Sequence, residues 1–403
     1  MLQQQNCANP GGPRVQMTKD PSMTNPRTAL LVGSHPMPGQ TFVNRHIERL
    51  FGGNTCIIST DASSGENPYD KAIFDIGATR PRGLPLLLSL PERLRNLRVY
   101  GTSHVPFGTG EAALRRFLLD QKVEMVLSEM GSRMAKVVPA AKALGIPCFS
   151  YFRGRDATEE LAKPRRLRGY RTLIPQLTGV IAVSQFLVDQ LAAKGLTHPN
   201  THVIPSGVDT RRFRPGEKVP GSCVAIGRMV EKKAPLTTLR AFAAAATDLP
   251  DARLRFIGDG PLLERTRAEA RRLGIADRVS FDGAQPHRVV REALATSQVF
   301  LQHSVVGPSG DAEGLPTAIQ EALASGCIVV STRHAGIPEA VDHGVNGWLG
   351  AEHDLEEFTA LIGRALTADP QEMMDAARQT AETRFDNAVL LSRLEDVLRA
   401  GLG

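Results

Sequence analysis

Short apolar runs alternate with amphipathic helical stretches twice over in this chain, and that double alternation restricts the fold more than any other feature. In the first half TALLVG (28–33) is followed by the loop SHPMPGQ and the helical stretch TFVNRHIERL. VEMVLSE (123–129), IPCFSYF (146–152) and GVIAVS (179–184) are further apolar runs. In the second half SCVAIG (222–227), RLRFIGDG (253–260), VSFDG (279–283), VFLQHS (299–304) and CIVVST (327–332) alternate with APLTTLRAFAAAA, PLLERTRAEARRLG, PHRVVREALATS and PTAIQEALASG. Continuous apolar strands separated by helices predict parallel sheets buried on both faces. Two such sheets in series predict an α/β protein of two Rossmann-like domains with a cleft between them, and ligands in such folds meet the carboxyl ends of the strands. At 403 residues the chain also exceeds what one typical core organises.

The turn-rich stretch PSGVDTRRFRP (205–215) breaks the alternation and marks the junction. The expected division is a disordered tail over 1–27, one domain over 28–205, a second over 206–385, and a last amphipathic segment, 386–403, beyond the second sheet. The tail is polar, lacks the apolar segment of a signal peptide, and leaves Met17 or Met23 as alternative starts. The five cysteines are isolated, which argues against metal or disulfide frameworks and fits a reducing compartment. No apolar run approaches bilayer-spanning length, so a cytoplasmic protein is expected. Charge is uneven: residues 1–215 carry 28 Lys and Arg against 16 Asp and Glu, whereas residues 216–403 carry 20 against 26. The basic excess peaks in KPRRLRGYR, with Lys163, Arg165, Arg166, Arg168 and Arg171. This run is either a solvated helix face or a surface for anionic lipid headgroups. Nucleic acid is disfavoured, because no aromatic platform is interleaved with the arginines and aromatic residues make up 5% of the chain.

The chemistry collects where strands end. SCVAIG runs into Arg228, followed by Lys232 and Lys233 ahead of a helix. Cations there, with helix-start amides, suit a diphosphate. Gly258 and Gly260 in GDGP permit close approach of backbone to a ligand, and RHAGIPE repeats a glycine loop after CIVVST. In GDAEGLPTAIQEALASG, Pro316 suits the first helical position and Gly326 the position after the helix. Glu313 then precedes the helix and Glu321 lies about a turn inside it. A carboxylate accepts from vicinal hydroxyls, so the set fits a nucleotide-diphosphate sugar, with Glu321 on the ribose and Glu313 on the sugar.

On these residues the chain resembles the retaining family 4 glycosyltransferases of the GT-B fold over most of 28–400. It has the E-x7-E pair Glu313 and Glu321, GR…KK as Arg228 and Lys233 with Ala234 where a glycine is usual, and the runs VIAVSQFL, VIPSGVDTRRFRP, FIGDGPL and RHAGIPEAVDHGVNGWL. TFVNRHIERL and GDAEGLP look most like enzymes of bacterial exopolysaccharide and colanic-acid-type synthesis. The resemblance implies an acceptor-binding first domain, a donor-binding second domain, and a last helix that crosses back to the first. It implies that Arg228 and Lys233 neutralise the leaving diphosphate, that amides around Gly314 and Leu315 lie near phosphate and sugar, and that Gly39 lets backbone approach the diphosphate. The implied donor is UDP- or GDP-linked, and the acceptor is a glycan or a polyprenyl-pyrophosphate-linked sugar. No metal is expected, since no Asp-x-Asp occurs and Arg228 with Lys233 supplies positive charge.

One departure concerns the run FRGRD. Arg153 stands where relatives carry a histidine that faces the donor sugar, while Gly154 and Asp156 remain. Arginine is no base at neutral pH; it either holds a hydroxyl, a phosphate or an acidic acceptor, or pairs with Asp156. His35, after the first strand, is the alternative base for an inverting transfer. A non-catalytic nucleotide-sugar-binding regulator is the alternative from another class. A glycosidase fits poorly, because eight helical residues span about 12 Å whereas paired glycosidase carboxyls stand roughly 5–9.5 Å apart. A dehydrogenase fits poorly too, as no G-x-G-x-x-G follows the first strand of either half.

Overall fold

The computed structural model describes residues 25–35, 41–61, 67–80 and 84–402. Gly39 and the stretch 1–24 lie outside the described residues. The first sheet is built from β1 (Thr28–Val32), β2 (Thr55–Ser59), β3 (Ile73–Asp75), β4 (Met125–Ser128), β5 (Cys148–Phe152), β6 (Gly179–Ala182) and β7 (Thr201–Val203). The second comprises β8 (Val219–Ile226), β9 (Arg253–Ile257), β10 (Val279–Phe281), β11 (Ser297–Gln302), β12 (Ile328–Thr332) and β13 (Gly347–Gly350). Their orders are β3-β2-β1-β4-β5-β6-β7 and β10-β9-β8-β11-β12-β13. Every pairing within the two sheets is parallel. Strands β1, β2, β4, β5, β6, β11 and β12 are buried along their whole length, as expected when helices cover both faces.

Strand order reverses between β1 and β4 in one sheet and between β8 and β11 in the other. At such a switch point the flanking helices go to opposite faces, and a crevice opens outside the carboxyl ends of the strands. The two crevices face one cavity of about 1310 Å³, lined from both sheets. The loops on one flank of the cavity touch. A Cβ on Gly154 would lie 2.7 Å from the Ala312 carbonyl oxygen, so only glycine lets the loop after β5 meet the 312–314 loop. Glu339 of the second unit accepts the amides of Gln185 (2.8 Å) and Phe186 (2.9 Å) at the start of the Gln185–Ala192 helix of the first.

The Asn387–Ala400 helix is capped by Asp386, whose carboxylate accepts from the Ala388 amide at 2.9 Å. It packs on the first unit: Leu394 and Leu398 are buried, and Glu395 accepts from the Phe51 amide at 2.8 Å. The Thr317–Ala324 helix begins one residue later than its proline suggests, since Pro316 takes the position before the helix in an extended conformation.

Candidate functional site

The 3-10 turn Glu231–Lys233 follows β8 and aims Lys233 across the β8/β11 switch point. There its ammonium bonds Gln302, the last residue of β11, at 3.2 Å and pairs with Glu313 at 3.0 Å. Lys232 lies 3.8 Å from the second Glu313 oxygen and 3.0 Å from Asp311. Burial by itself raises the Glu313 carboxyl, but Lys233 and then Lys232 outweigh it and hold it down at about 2. The Glu313 amide donates to His334 Nε2 (3.2 Å), which leaves Nδ1 of that ring to donate to Glu352 (2.8 Å). Glu313 is therefore an ionised group with both backbone and side chain fixed.

Arg228 is exposed in the cavity and has no ion-pair partner among the described residues. Gly258 sits at φ +147°, and a Cβ there would lie 1.9 Å from the Gly227 carbonyl oxygen, so the loops after β8 and β9 meet through glycine alone. Gly227, Arg228, Gly258, Asp259, Gly260, Glu313 and the start of the Thr317–Ala324 helix line one wall. Glu321 lines it too, but differs in kind. It is buried, has no charged partner among the described residues, and burial raises its carboxyl to about 8. The neutral acid is its resting form at pH 7. Gly314 and Leu315 sit on the same loop as Glu313, and Gly314 packs against Val183 of the first unit.

Arg153 does not pair with Asp156, one of the two arrangements anticipated. Its guanidinium bonds Glu129 (3.0 Å to Oε2 and 3.2 Å to the carbonyl) and the Ser206 hydroxyl (2.9 Å), between the rings of Phe42 and Tyr151. Asp156 instead accepts the amides of Ser132 (3.0 Å) and Arg153 (3.3 Å), tying the loops after β4 and β5 together. Glu129 follows β4 at the first switch point, is 1% exposed, and takes His46 Nδ1 on its other oxygen at 2.7 Å. Burial opposes its ionisation, while His46 and Arg153 bring its carboxyl below the ordinary value. His35 is buried, its ring 6.0 Å from that of Tyr69, and is not among the described residues lining the cavity. Burial lowers its proton affinity.

The basic run is divided by the fold. Lys163 pairs with Glu159 and Glu160, and Arg166 with Glu160, whereas Arg165, Arg168 and Arg171 of the Pro164–Leu173 helix point outward. Beside them lies a surface absent from the sequence reading. Leu87, Leu88, Leu90 and Leu94, on the helices Leu84–Leu88 and Leu90–Tyr100, are 53–74% exposed. The two basic helices touch, Arg168 reaching the Arg98 carbonyl at 3.5 Å and Thr172 the Val99 carbonyl at 3.0 Å. Glu129, His46, Asp311 and His334 were also missed, while Lys232, read as one of the cations after β8, stands beside Lys233. Only Glu129 carried a signal, being an acid placed directly after an apolar strand.

Comparison with known proteins bears on this geometry. The family model described as "Glycosyltransferase Family 4" matches residues 72–212, and that described as "Glycosyl transferases group 1" matches 211–384. The chain is 27% identical to the amylovoran biosynthesis glycosyltransferase AmsK of Erwinia amylovora over 61% of its length, spanning about 62% of AmsK. It is 27% identical over 76% of its length to a GDP-mannose-dependent alpha-(1-6)-phosphatidylinositol monomannoside mannosyltransferase of Mycobacterium tuberculosis (strain ATCC 25618 / H37Rv), covering 83% of that protein. A solved structure of Anabaena Alr3699/HepE with UDP and glucose shares the fold, with a TM-score of 0.74 at 16% identity, over 93% of this chain and 99% of that one.

Proposed function

This chain belongs to the glycosyltransferases of the GT-B fold, with a family 4 and a group 1 domain, and from that premise we propose that it transfers a hexose from a nucleoside-diphosphate sugar with retention of configuration. The acceptor is a glycan or a polyprenyl-pyrophosphate-linked sugar of exopolysaccharide synthesis. The observation that carries this reading is the Lys233–Glu313 pair at the β8/β11 switch point with Arg228 open beside it. The diphosphate takes Arg228, Lys233 and the amides of the glycine loops, and the sugar hydroxyls take Glu313. As the anomeric C–O bond breaks, its electron pair goes to the diphosphate oxygen. That oxygen receives the proton of the acceptor hydroxyl, whose own oxygen bonds the anomeric carbon on the same face. The protein contributes position and fixed positive charge. Resident metal is unnecessary on this reading, because two cationic side chains serve the leaving group.

Purified protein, incubated with radiolabelled UDP- and GDP-hexoses, a polyprenyl-pyrophosphate-linked acceptor fraction and EDTA, is expected to yield an α-linked product from an α-linked donor. An inverted product by NMR, or no transfer across the donor panel, rejects the reading. UDP is the first donor to try, as Alr3699/HepE was solved with UDP and glucose, and GDP the second, from the mannosyltransferase relative.

Glu321 supplies a separate prediction. Ribose hydroxyls donate to a carboxylate, so nucleotide binding shifts Glu321 from its neutral form and releases close to one proton at pH 7. Calorimetry in buffers of different ionisation heat measures this release, and Glu321→Gln should abolish it. The sign for stability is the reverse of an ordinary acid. With a folded value near 8 against 4.5 unfolded, Glu321 weakens the ligand-free fold as pH rises through that interval.

We further propose that the protein works on an anionic membrane, touching it with the exposed leucines of 87–94 and the outward arginines of the two touching helices. Among the described residues, no helix is long and apolar enough to cross a membrane. Arg93, Arg95, Arg98, Arg165, Arg168 and Arg171 face a single acid, Glu92, on those helices, a balance that matches anionic headgroups and repels a second copy of the same face. Cosedimentation is expected with vesicles containing phosphatidylglycerol and not with phosphatidylcholine alone. Leu87→Asp with Leu88→Asp, or charge reversal of Arg165, Arg168 and Arg171, should lower binding roughly tenfold or more, each cation contributing about 1 kcal/mol.

A further inference from the structure

Across the cavity from the donor wall stands a second group of cations that the donor does not require. The 3-10 turn Gly131–Lys136, after β4, brings Arg133 and Lys136 to the cavity, and Arg166 joins them from the Pro164–Leu173 helix. Arg80 approaches from behind, its guanidinium on the Thr60 carbonyl at 3.3 Å. Arg133 pairs with Asp61 at 2.9 Å, and Arg166 with Glu160 at 2.7 Å; Glu160 is shared with Lys163 and Arg155 besides, and Asp156, also on this wall, is taken by the Ser132 amide at 3.0 Å. Lys136 has no acid within ion-pair reach among the described residues. Its environment is unfavourable to a cation: burial, then Arg133, with Arg80 and Arg166 adding to it against an opposing pull from Asp61, lowers its proton affinity to about 8. Arg133 carries its hydroxyl partner Thr60 as well, which holds the guanidinium in place. Among the described residues Arg80, Arg133, Lys136, Arg155 and Arg166, with Lys163 beyond, outnumber Asp61, Asp156, Glu159 and Glu160, and a surplus of that kind in a cavity wall is relieved by a ligand of opposite sign.

We propose that Arg133, Lys136 and Arg166 form the binding site for a phosphate or diphosphate group carried by the acceptor. The proposal rests on the transferase reading and names the acceptor's chemistry within it. The donor diphosphate has its own cations in Arg228 and Lys233 on the opposite wall, so the two anions lie on either side of the cavity and the acceptor sugar is placed between them. His104 and Thr102 border the same region and offer neutral partners. The geometry accepts a lipid-borne diphosphate or a soluble sugar phosphate alike.

Calorimetry on the full chain saturated with UDP tests the site, with inorganic pyrophosphate and geranyl diphosphate as probes. Wild type is expected to bind one pyrophosphate in the presence of UDP. Lys136→Ala and Arg133→Ala should each weaken it by ~10-fold or more, the scale of losing a charge-assisted pair. Lys136→Arg should restore it, and UDP affinity should stay within about twofold in all three. Geranyl diphosphate binding much more tightly than pyrophosphate assigns the site to a lipid-linked acceptor, and equal affinities assign it to a soluble one. Pyrophosphate that binds only when UDP is absent, or equally well to Lys136→Ala, overturns the proposal. Pyrophosphate bound through Lys136 in a protein that fails to bind UDP would leave this site standing and remove the donor assignment instead.

Discussion

Glu313→Gln is expected to leave a folded protein whose sugar transfer falls by ~10²-fold or more, and Lys233→Ala should do the same. The two residues form one device. Glu313 is ionised because Lys233 and Lys232 stand beside it, and Lys233 is aimed at the cavity because Glu313 and Gln302 hold its ammonium. A glutamine keeps the shape and one acceptor oxygen but removes the charge. Lys233 is then held by neutral groups alone, and the sugar loses a fixed anion. The fold should tolerate both changes, since the pair faces the cavity and its one link to a strand, the Lys233–Gln302 bond, lies at the very end of β11. Single-turnover rates with the best donor, alongside thermal melts, make the comparison; wild-type rates in either variant would remove this site from the chemistry. The pH dependence has a definite direction. The folded carboxyl lies near 2 against 4.5 unfolded, so Glu313 stabilises the protein above the ordinary carboxyl range and loses that contribution as pH falls from about 4.5 toward 2. Glu313→Gln should flatten the acid limb of the stability curve.

Glu129→Ala should be the most destabilising of the single changes considered, by about 3–5 kcal/mol, the scale found when one partner of a buried ion pair is removed. Glu129 is 1% exposed and serves two partners, so truncation strands the Arg153 guanidinium, with its side chain 12% exposed, and leaves His46 without its acceptor. Glu129→Gln retains shape and should cost less. Urea midpoints at pH 7 measure both, and a loss below about 1 kcal/mol for Glu129→Ala would show that the network contributes little. Arg153 also bonds Ser206, in the connection between the two sheets, so this network joins the first switch point to the junction. Arg153 thus lines the cavity with its guanidinium already engaged by Glu129 and Ser206.

Features read correctly from the sequence were local ones. An apolar run of five or six residues bounded by turn residues becomes a buried parallel strand almost irrespective of its surroundings. The residues just after it sit at a strand's carboxyl end, where Arg228, Lys233 and the GDGP glycines were expected and stand. The partner of Arg153 shows where local argument stops. Asp156 is three residues away and Glu129 twenty-four, yet the pairing of β4 with β5 brings the distant acid to the guanidinium. LPLLLSLPERL is equally opaque as a string, because an apolar segment does not disclose whether a neighbour covers it.

Periodicity and strand-end chemistry, both properties of short stretches, therefore determined the two-sheet α/β architecture and the residue types that line the cavity at the strand ends. Pairing between distant segments decided the rest: which acid holds Arg153, that Glu313 is charged while Glu321 is neutral, and that Lys136 faces a cavity with no acid in ion-pair reach among the described residues. These are differences in burial and in neighbouring charge, and neither exists until the chain has closed on itself.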